Sequence, residues 1–195
     1  MIVENQKTVR TIVCFHKPDE ENGYLSNWFR SSFKTNGVVF SSVEQYMMYS
    51  KAIVFKDTEI ARQILSTADV ALIKALGRSV KNYNDNKWSG IRQIVVYEGL
   101  YEKFSQNEKL KKLLLSTGDA ILAECAVRDM IWGIGLSMRD PDRLDQRKWR
   151  GQNLLGYALM MVREKISLEN NRRFFGKTIL QSRRFRKPYL SKHQP

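Results

Sequence analysis

Glu44 and Lys51 lie seven residues apart in the stretch FSSVEQYMMYSKA, where a carboxylate and a cation stand among apolar residues. Two serines precede Glu44 with the spacing of a capping box, and the pattern predicts a helix over about residues 42–55. On such a helix the two charged groups share one face. Glu44 is therefore either a capping group or a catalytic carboxylate, and Lys51 either a solvated charge or an anion ligand.

Further along the chain, other side chains could bind a substrate. Arg78 follows the glycine that is predicted to end a helix in LGRSV, so it either complements the helix dipole or binds an anion. Asp129 precedes the glycine-containing stretch IWGIG and is either a turn aspartate or a second functional carboxylate. Trp88 and Trp132 lie in or beside polar segments, where they are either core residues or stacking faces.

Other catalytic arrangements lack the residues that they need. His16 is the one histidine before the C-terminal tail, so a Ser-His-Asp triad has a single candidate base. The sequence has no HExxH motif, no CxxC pair, no Walker loop and no complete GxGxxG. We therefore expect chemistry that uses neither a metal nor a cofactor.

The composition is that of a globular protein with one core. The chain has 195 residues, of which 43% are hydrophobic and 27% charged. It contains no apolar run of membrane-spanning length, and its N-terminus lacks the features of a signal peptide. Two cysteines are too few for a disulfide framework and favour a reducing compartment. These features predict a cytoplasmic location and no membrane partner.

Most of the net charge of +13 lies at the C-terminus. From Arg172 onward there are eight Lys or Arg residues and no acidic residue, which leaves 25 basic and 20 acidic residues before it. We predict a domain over residues 1–170, closed by a helix that ends near Glu169, and a basic tail over residues 171–195. The tail is either a disordered, solubilising extension, a docked extra helix or a contact for a phosphate backbone, which makes DNA a candidate partner.

The periodicity predicts a mainly α fold with a few short β-strands. TVRTIVCFH and GVVFSS are typical of strands, whereas DAILAEC has an ambiguous period. Besides the helix that carries Glu44, helices are predicted in DTEIARQILS, DVALIKALG, WSGIRQIVVYEGLYEKFSQ, NEKLKKLLLSTG and QNLLGYALMMVREKISLE. The stretch MIWGIGLSMRDPDRLDQRKWRG is predicted to be a loop, long enough to be functional or disordered.

Taken together, six sequence blocks resemble the NADAR, or YbiA-like, N-glycosidases. They occur in the family's order over about residues 12–165. The blocks are YLSNWF, VVFSSVEQYMMYSKA, ALGRSVKNYNDNKW, KFSQNEKLKKLLLSTGDAILAEC, DMIWGIGL and WRGQNLLGYALMMVR. The resemblance implies a single, mainly helical domain and metal-independent hydrolysis of N-glycosidic bonds.

The resemblance also implies roles for individual residues. Glu44 becomes the principal catalytic carboxylate, and Asp129 is a natural second one. The implied substrate-binding residues are Asn27, Lys51, Arg78, Trp88, Trp132 and Asn153. Breaking a ribosyl C–N bond builds positive charge at the anomeric carbon, which an ionised carboxylate stabilises. Lysine and arginine suit a phosphate, and tryptophan suits a flat leaving group.

Two questions stay open at the level of sequence. Known members of the family cleave either phosphorylated ribosylamino-pyrimidine intermediates of riboflavin biosynthesis or the bond between ADP-ribose and guanine in DNA, and the sequence does not choose between these substrates. The alternative to an enzyme is a non-catalytic module that binds nucleic acid or ADP-ribose, which the basic tail favours. The oligomeric state is not predicted.

Overall fold

The computed structural model describes the backbone of residues 10–184 and the side chains of residues 10–172. The strands in this range are β1 Ile12–Phe15, β2 Phe33–Thr35, β3 Val38–Phe40 and β4 Ile121–Glu124. The α-helices are α1 Val43–Val54, α2 Thr58–Leu65, α3 Val70–Arg78, α4 Asp85–Gln106, α5 Glu108–Leu115 and α6 Leu154–Arg184. Short 3-10 helices cover Gly23–Leu25, Pro141–Leu144 and Gln146–Lys148. The mainly helical fold class is confirmed.

Three helices begin at side-chain caps that their sequences predict or allow. Asp57 accepts a hydrogen bond from the Ile60 N–H at 3.2 Å, and Asp69 accepts one from the Leu72 N–H at 3.2 Å. Asn84 caps α4 in the same way. Each cap satisfies a backbone donor that has no partner within its helix. Within the described chain, no helix has the length and apolar character needed to cross a membrane.

The strands form two separate pairs. Strands β2 and β3 form an antiparallel hairpin whose turn, Asn36 and Gly37, has positive φ at both residues, as a type I′ turn requires. Strands β1 and β4 are parallel, with Phe15 opposite Glu124. The ambiguous stretch DAILAEC is therefore a strand, and the carboxyl ends of both parallel strands lie at one edge.

Helix α1 is the central element, because it packs against α2, α3 and α4. Its first six residues, from Val43 to Met48, are all buried. Gly77 on α3 permits the close approach, since an added Cβ would overlap the Met48 sulfur. The prediction that Gly77 ends the helix is wrong, because α3 continues through Arg78, and Gly77 instead allows close packing against α1.

Helix α6 is longer than its sequence pattern predicted. It runs to Arg184 rather than ending near Glu169. The sequence after Glu169 has no proline before Pro188, and the single Gly176 costs a helix only about 1 kcal/mol. Nothing in this stretch therefore forces the helix to stop.

Two compact units divide between Arg163 and Glu164. The first contains all four strands, helices α1 to α5 and the start of α6, while the second contains the rest of α6. The domain boundary at residue 170 stays a prediction. The tail's side chains from position 173 onward, including its aromatic residues, lie outside the described residues.

Candidate active site

A cavity of about 170 Å³ opens beside the N-terminal half of α1. Its walls come from α1, α3, the segment after the first 3-10 helix, the end of β4 and the turn that follows β4. The lining residues are Asn27, Trp28, Glu44, Met47, Met48, Lys51, Lys74, Gly77, Arg78, Glu124, Asp129 and Trp132. Three carboxyl groups and three cations thus share one small space.

The Glu44 side chain is free to line the cavity, because Ser42 and Gln45 form the cap of α1. Ser42 is the N-cap of α1, and its Oγ accepts from the Gln45 N–H at 3.2 Å. The Gln45 amide oxygen accepts in return from the Ser41 N–H at 2.7 Å. The Glu44 N–H donates to the Asn27 carbonyl at 3.0 Å, so only its backbone is used in fixing the start of the helix. Gln45, and not Glu44, is therefore the capping partner at the start of α1, and the Glu44 side chain has no capping role.

The surroundings of Glu44 hold its carboxyl group near the midpoint of ionisation at neutral pH. The side chain is only 3% exposed, and burial raises its pKa from 4.5 to about 7. The Lys74 cation lowers the pKa, the Asp129 carboxylate raises it, and Arg78 and a hydrogen bond from the Trp28 side chain lower it by smaller amounts. The resulting pKa suits a group that accepts or releases a proton at neutral pH.

Glu124 is a second carboxyl group of the cavity, at a position that the sequence patterns did not indicate. It is the last residue of β4, and its Oε2 atom is buried without a hydrogen-bond partner in the structure. Its pKa is raised to about 8, mainly by burial and also by the Asp129 and Glu44 carboxyls, while the Lys74 cation opposes the shift. The proton on Glu124 is therefore held through neutral pH.

Asp129 contributes both to a turn and to the cavity wall. Its Oδ1 accepts from the Trp132 N–H at 2.8 Å and from the Ile131 N–H at 3.1 Å. These bonds fix the turn that brings Trp132 to the cavity. The turn interpretation of Asp129 is thus correct, and it is compatible with a functional one because the residue also lines the cavity.

The cations come from α1 and from one face of α3. The Lys51 Nζ donates to the Gly77 carbonyl at 2.7 Å and lies 4.1 Å from the centre of the Tyr83 ring. Burial and the neighbouring Arg78 charge lower the Lys51 pKa. Lys74 precedes Arg78 by four residues, so both point from the same face of α3. That spacing was a signal in the sequence that could have revealed Lys74.

The segment that carries Asn27 and Trp28 is held by a buried lysine on α4. The Lys103 Nζ donates to the Tyr24 carbonyl at 2.7 Å and to the Ser26 carbonyl at 2.9 Å. Burial lowers its pKa to about 7. Trp28, whose ring centre lies 5.3 Å from the Lys74 Nζ, reaches the cavity from this segment.

Two residues implied by the resemblance lie outside the cavity lining. Trp88 is only 6% exposed on α4, where it is a core residue. Asn153 is fully buried, accepts from the Glu124 N–H at 3.1 Å and donates to the Leu122 carbonyl at 2.8 Å. Its contacts are with the backbone of β4, so it positions the strand that carries Glu124. The other six implied residues all line the cavity.

No metal site is formed by the described side chains. Over residues 10–172, no group of three or more His, Cys, Asp or Glu side chains is arranged to hold a metal ion. Cys14 and Cys125 are free thiols within that range.

Comparison with known proteins places the chain in a family. The model of the NADAR domain matches residues 14–167. N-glycosidase R617 of Acanthamoeba polyphaga mimivirus is 42% identical over 78% of this chain and 95% of its own length. Riboflavin biosynthesis protein VVA0006 of Vibrio vulnificus is 33% identical over 79% of this chain, but the match covers only 38% of that protein.

A solved structure has the same fold. The NMR structure of YbiA from Escherichia coli superimposes with a TM-score of 0.69 and 27% identity, covering 87% of this chain and 95% of the other. YbiA is itself named an N-glycosidase. The fold and these relatives define a hydrolase of the N-glycosidase class. The chain belongs to the NADAR domain family.

Proposed function

We propose that the cavity holds the ribosyl group of a phosphorylated N-riboside and that Glu44 is the carboxylate that promotes cleavage of its C–N bond. The observation that carries this proposal is the position of Glu44, which lines the cavity although it is only 3% exposed. A buried carboxyl with a pKa of about 7 is costly for folding, and such perturbed groups cluster at functional sites.

The size of the cavity supports a sugar rather than a whole nucleotide as the enclosed group. Its volume of about 170 Å³ is below the range of roughly 300–1,000 Å³ that is usual for drug-sized ligands. We infer that the ribose occupies the cavity and that the leaving base and further phosphates extend toward solvent. The buried Asn27 Oδ1, which has no hydrogen-bond partner in the structure, is available to a ribose hydroxyl.

The proposed reaction is a hydrolysis in which Glu44 has two roles. As the C–N bond breaks, positive charge develops on the anomeric carbon, and the Glu44 carboxylate stabilises it in a site with little water. A water molecule then adds its oxygen to that carbon and gives one proton to Glu44. The leaving nitrogen takes a proton from an acidic group of the site, and the proton on Glu44 later replaces it, so the products are the free sugar and the free base. Asp129 supports the reaction by fixing the Trp132 turn.

The cations and indole rings bind the two ends of the substrate. Lys51 and Arg78 are the proposed phosphate ligands, the arginine through paired hydrogen bonds. Lys74 acts on the carboxyl groups, because its charge lowers the pKa of both Glu44 and Glu124. Trp132, with Trp28, offers a flat face to a heterocyclic leaving group.

The two candidate substrates are a ribosylamino-pyrimidine phosphate and ADP-ribosyl-guanine in nucleic acid. The name of the Vibrio relative supports the first. The test is to incubate the purified protein with each substrate in ¹⁸O-labelled water and to follow the released sugar by mass. We expect release of ribose phosphate or ADP-ribose with one ¹⁸O at the anomeric carbon. Binding of either substrate without hydrolysis would favour the alternative of a non-catalytic module.

A further inference from the structure

Glu124 is held in the cavity wall by contacts that fix its backbone and leave its carboxyl group unpartnered. Asn153 accepts from the Glu124 N–H at 3.1 Å and donates to the Leu122 carbonyl at 2.8 Å. Gly156 lets α6 approach this strand, since an added Cβ would overlap the Leu122 carbonyl oxygen. The end of β4 therefore cannot shift easily, and the side chain is directed by a rigid element.

An unpartnered carboxyl oxygen inside a protein is unusual. Buried polar atoms nearly always have a hydrogen-bond partner, because leaving one without a partner costs free energy. The Glu124 Oε2 has none in the structure, and it belongs to a residue that lines the cavity. Because Glu124 lines the cavity, a bound substrate could supply the missing hydrogen-bond partner.

The charges around Glu124 differ from those around Glu44. Glu124 faces the Glu44 carboxyl from α1, the Asp129 carboxyl from the following turn and the Lys74 cation from α3. Glu44 faces Lys74 and Asp129 as well, but it also has Arg78 and the Trp28 hydrogen bond, both of which favour its ionised form.

The two carboxyls therefore have unequal tendencies to ionise. The pKa of Glu124 is raised to about 8 and that of Glu44 to about 7, with burial as the main cause for each. Because the Glu44 carboxylate raises the pKa of Glu124, the two groups are coupled, and the first proton is lost mainly from Glu44. When the environments of two carboxyl groups separate their pKa values, the group with the higher pKa can act as the general acid and the other as the base.

We propose that Glu124 is a catalytic residue of this site, the general acid that protonates the leaving nitrogen while Glu44 is ionised. This inference rests on the proposed function. In the forward step the C–N bond breaks and its electron pair takes the Glu124 proton. Water then bonds to the anomeric carbon and gives a proton to Glu44. Transfer of one proton from Glu44 to Glu124, directly or through solvent, restores the starting state.

The test compares leaving groups that do and do not need a proton. Glu124→Gln keeps the size and polarity of the side chain but cannot act as an acid. For a ribosylamino-pyrimidine phosphate or an ADP-ribosyl-guanine substrate, we expect kcat to fall by about 10²–10⁴-fold, the usual contribution of a general acid. For a pyridinium N-riboside phosphate, whose neutral leaving group needs no proton, kcat should change little.

Two comparisons make the result decisive. Glu44→Gln is the matched control and should lose activity on both kinds of substrate, because charge develops at the anomeric carbon in each. The alkaline limb of the wild-type pH profile should be missing in Glu124→Gln. Equal losses of kcat on both kinds of substrate would show that Glu124 has only a structural role. Unchanged kinetics on the substrate whose leaving group needs a proton would show that Glu124 is not the general acid.

A second readout does not need activity. In protein labelled with ¹³C at the glutamate carboxyl carbons, NMR should detect a carboxyl that titrates well above the usual glutamate pKa of about 4.3 and that is absent from Glu124→Gln. The absence of such a signal would overturn the inference even in an active enzyme. If the signal is present but no N-riboside is hydrolysed by the wild type, the proposed function fails instead.

Discussion

Two carboxyl groups that line the cavity, Glu44 and Glu124, give the site a marked dependence on pH. Burial raises the pKa of Glu44 to about 7. Since the mechanism needs Glu44 ionised and Glu124 protonated, kcat should fall as the pH is lowered through about 7 and should fall again as the pH is raised above about 8. The profile measured from pH 5 to 9 should lose this acid limb in Glu44→Gln. An acid limb near the ordinary glutamate pKa of about 4.3 would mean that the catalytic carboxyl group is exposed to solvent and is not the buried Glu44.

Lys51 and Arg78 should recognise the phosphate of the substrate. Replacing either with methionine should weaken binding of a phosphorylated substrate analogue by about 1.5–3 kcal/mol, the scale of a charge-assisted hydrogen bond. The dephosphorylated analogue should be affected far less. Calorimetric titration measures both, with Lys112→Met on the exposed face of α5 as the control. Equal losses for the two analogues would show that these cations do not bind the phosphate.

At the level of elements, most of the fold follows from sequence signals that act locally. The capping residues, the period of the helices and the turn after β2 depend on neighbours a few residues away. The predicted end of α3 is wrong because Gly77 is required for close packing against Met48 on α1, which is a long-range contact. The predicted end of α6 near Glu169 is wrong because a run of basic residues does not break a helix, and no proline occurs before Pro188.

The residues of the site likewise divide into those that local sequence patterns indicate and those that only tertiary contacts place. Asn27, Glu44, Lys51, Arg78, Asp129 and Trp132 line the cavity and could be named from sequence blocks. Glu124 could not, because its role depends on the parallel pairing of β1 with β4, which brings together residues about a hundred positions apart. Trp88 and Asn153 were named for the cavity, although tertiary packing directs both elsewhere.

Two helical glycines should respond in opposite ways to the same substitution. Gly156→Ala places a Cβ against the Leu122 backbone, which cannot rotate away, so the free energy of unfolding should fall by about 1–3 kcal/mol. Gly90→Ala on α4 meets no atom within 4 Å and should raise it by up to about 1 kcal/mol. Urea denaturation measures both. A stabilised Gly156→Ala would mean that β4 and α6 are less closely packed than described.

For the whole molecule, the charge distribution separates the two candidate substrates. The eight basic residues from Arg172 onward are the clearest candidates for contacts with a nucleic-acid backbone. If the substrate is modified DNA, changing them to glutamine in the full chain should flatten the dependence of log K on log salt by roughly 0.9 per lost phosphate contact. Hydrolysis of a free ADP-ribosyl nucleoside should not change. An unaltered salt slope would argue against a DNA contact by the tail.

The central claim is that the buried Glu44 carboxylate drives cleavage of the N-glycosidic bond. Its most direct test is the turnover of Glu44→Gln at saturating substrate, measured by release of the sugar product. Because glutamine keeps the size of the side chain and the Ser42–Gln45 cap is untouched, the variant should melt close to the wild type. We predict that kcat falls by about 10²-fold or more, as expected when a charge that stabilises the transition state is removed. Near-normal turnover by a folded Glu44→Gln protein would contradict it.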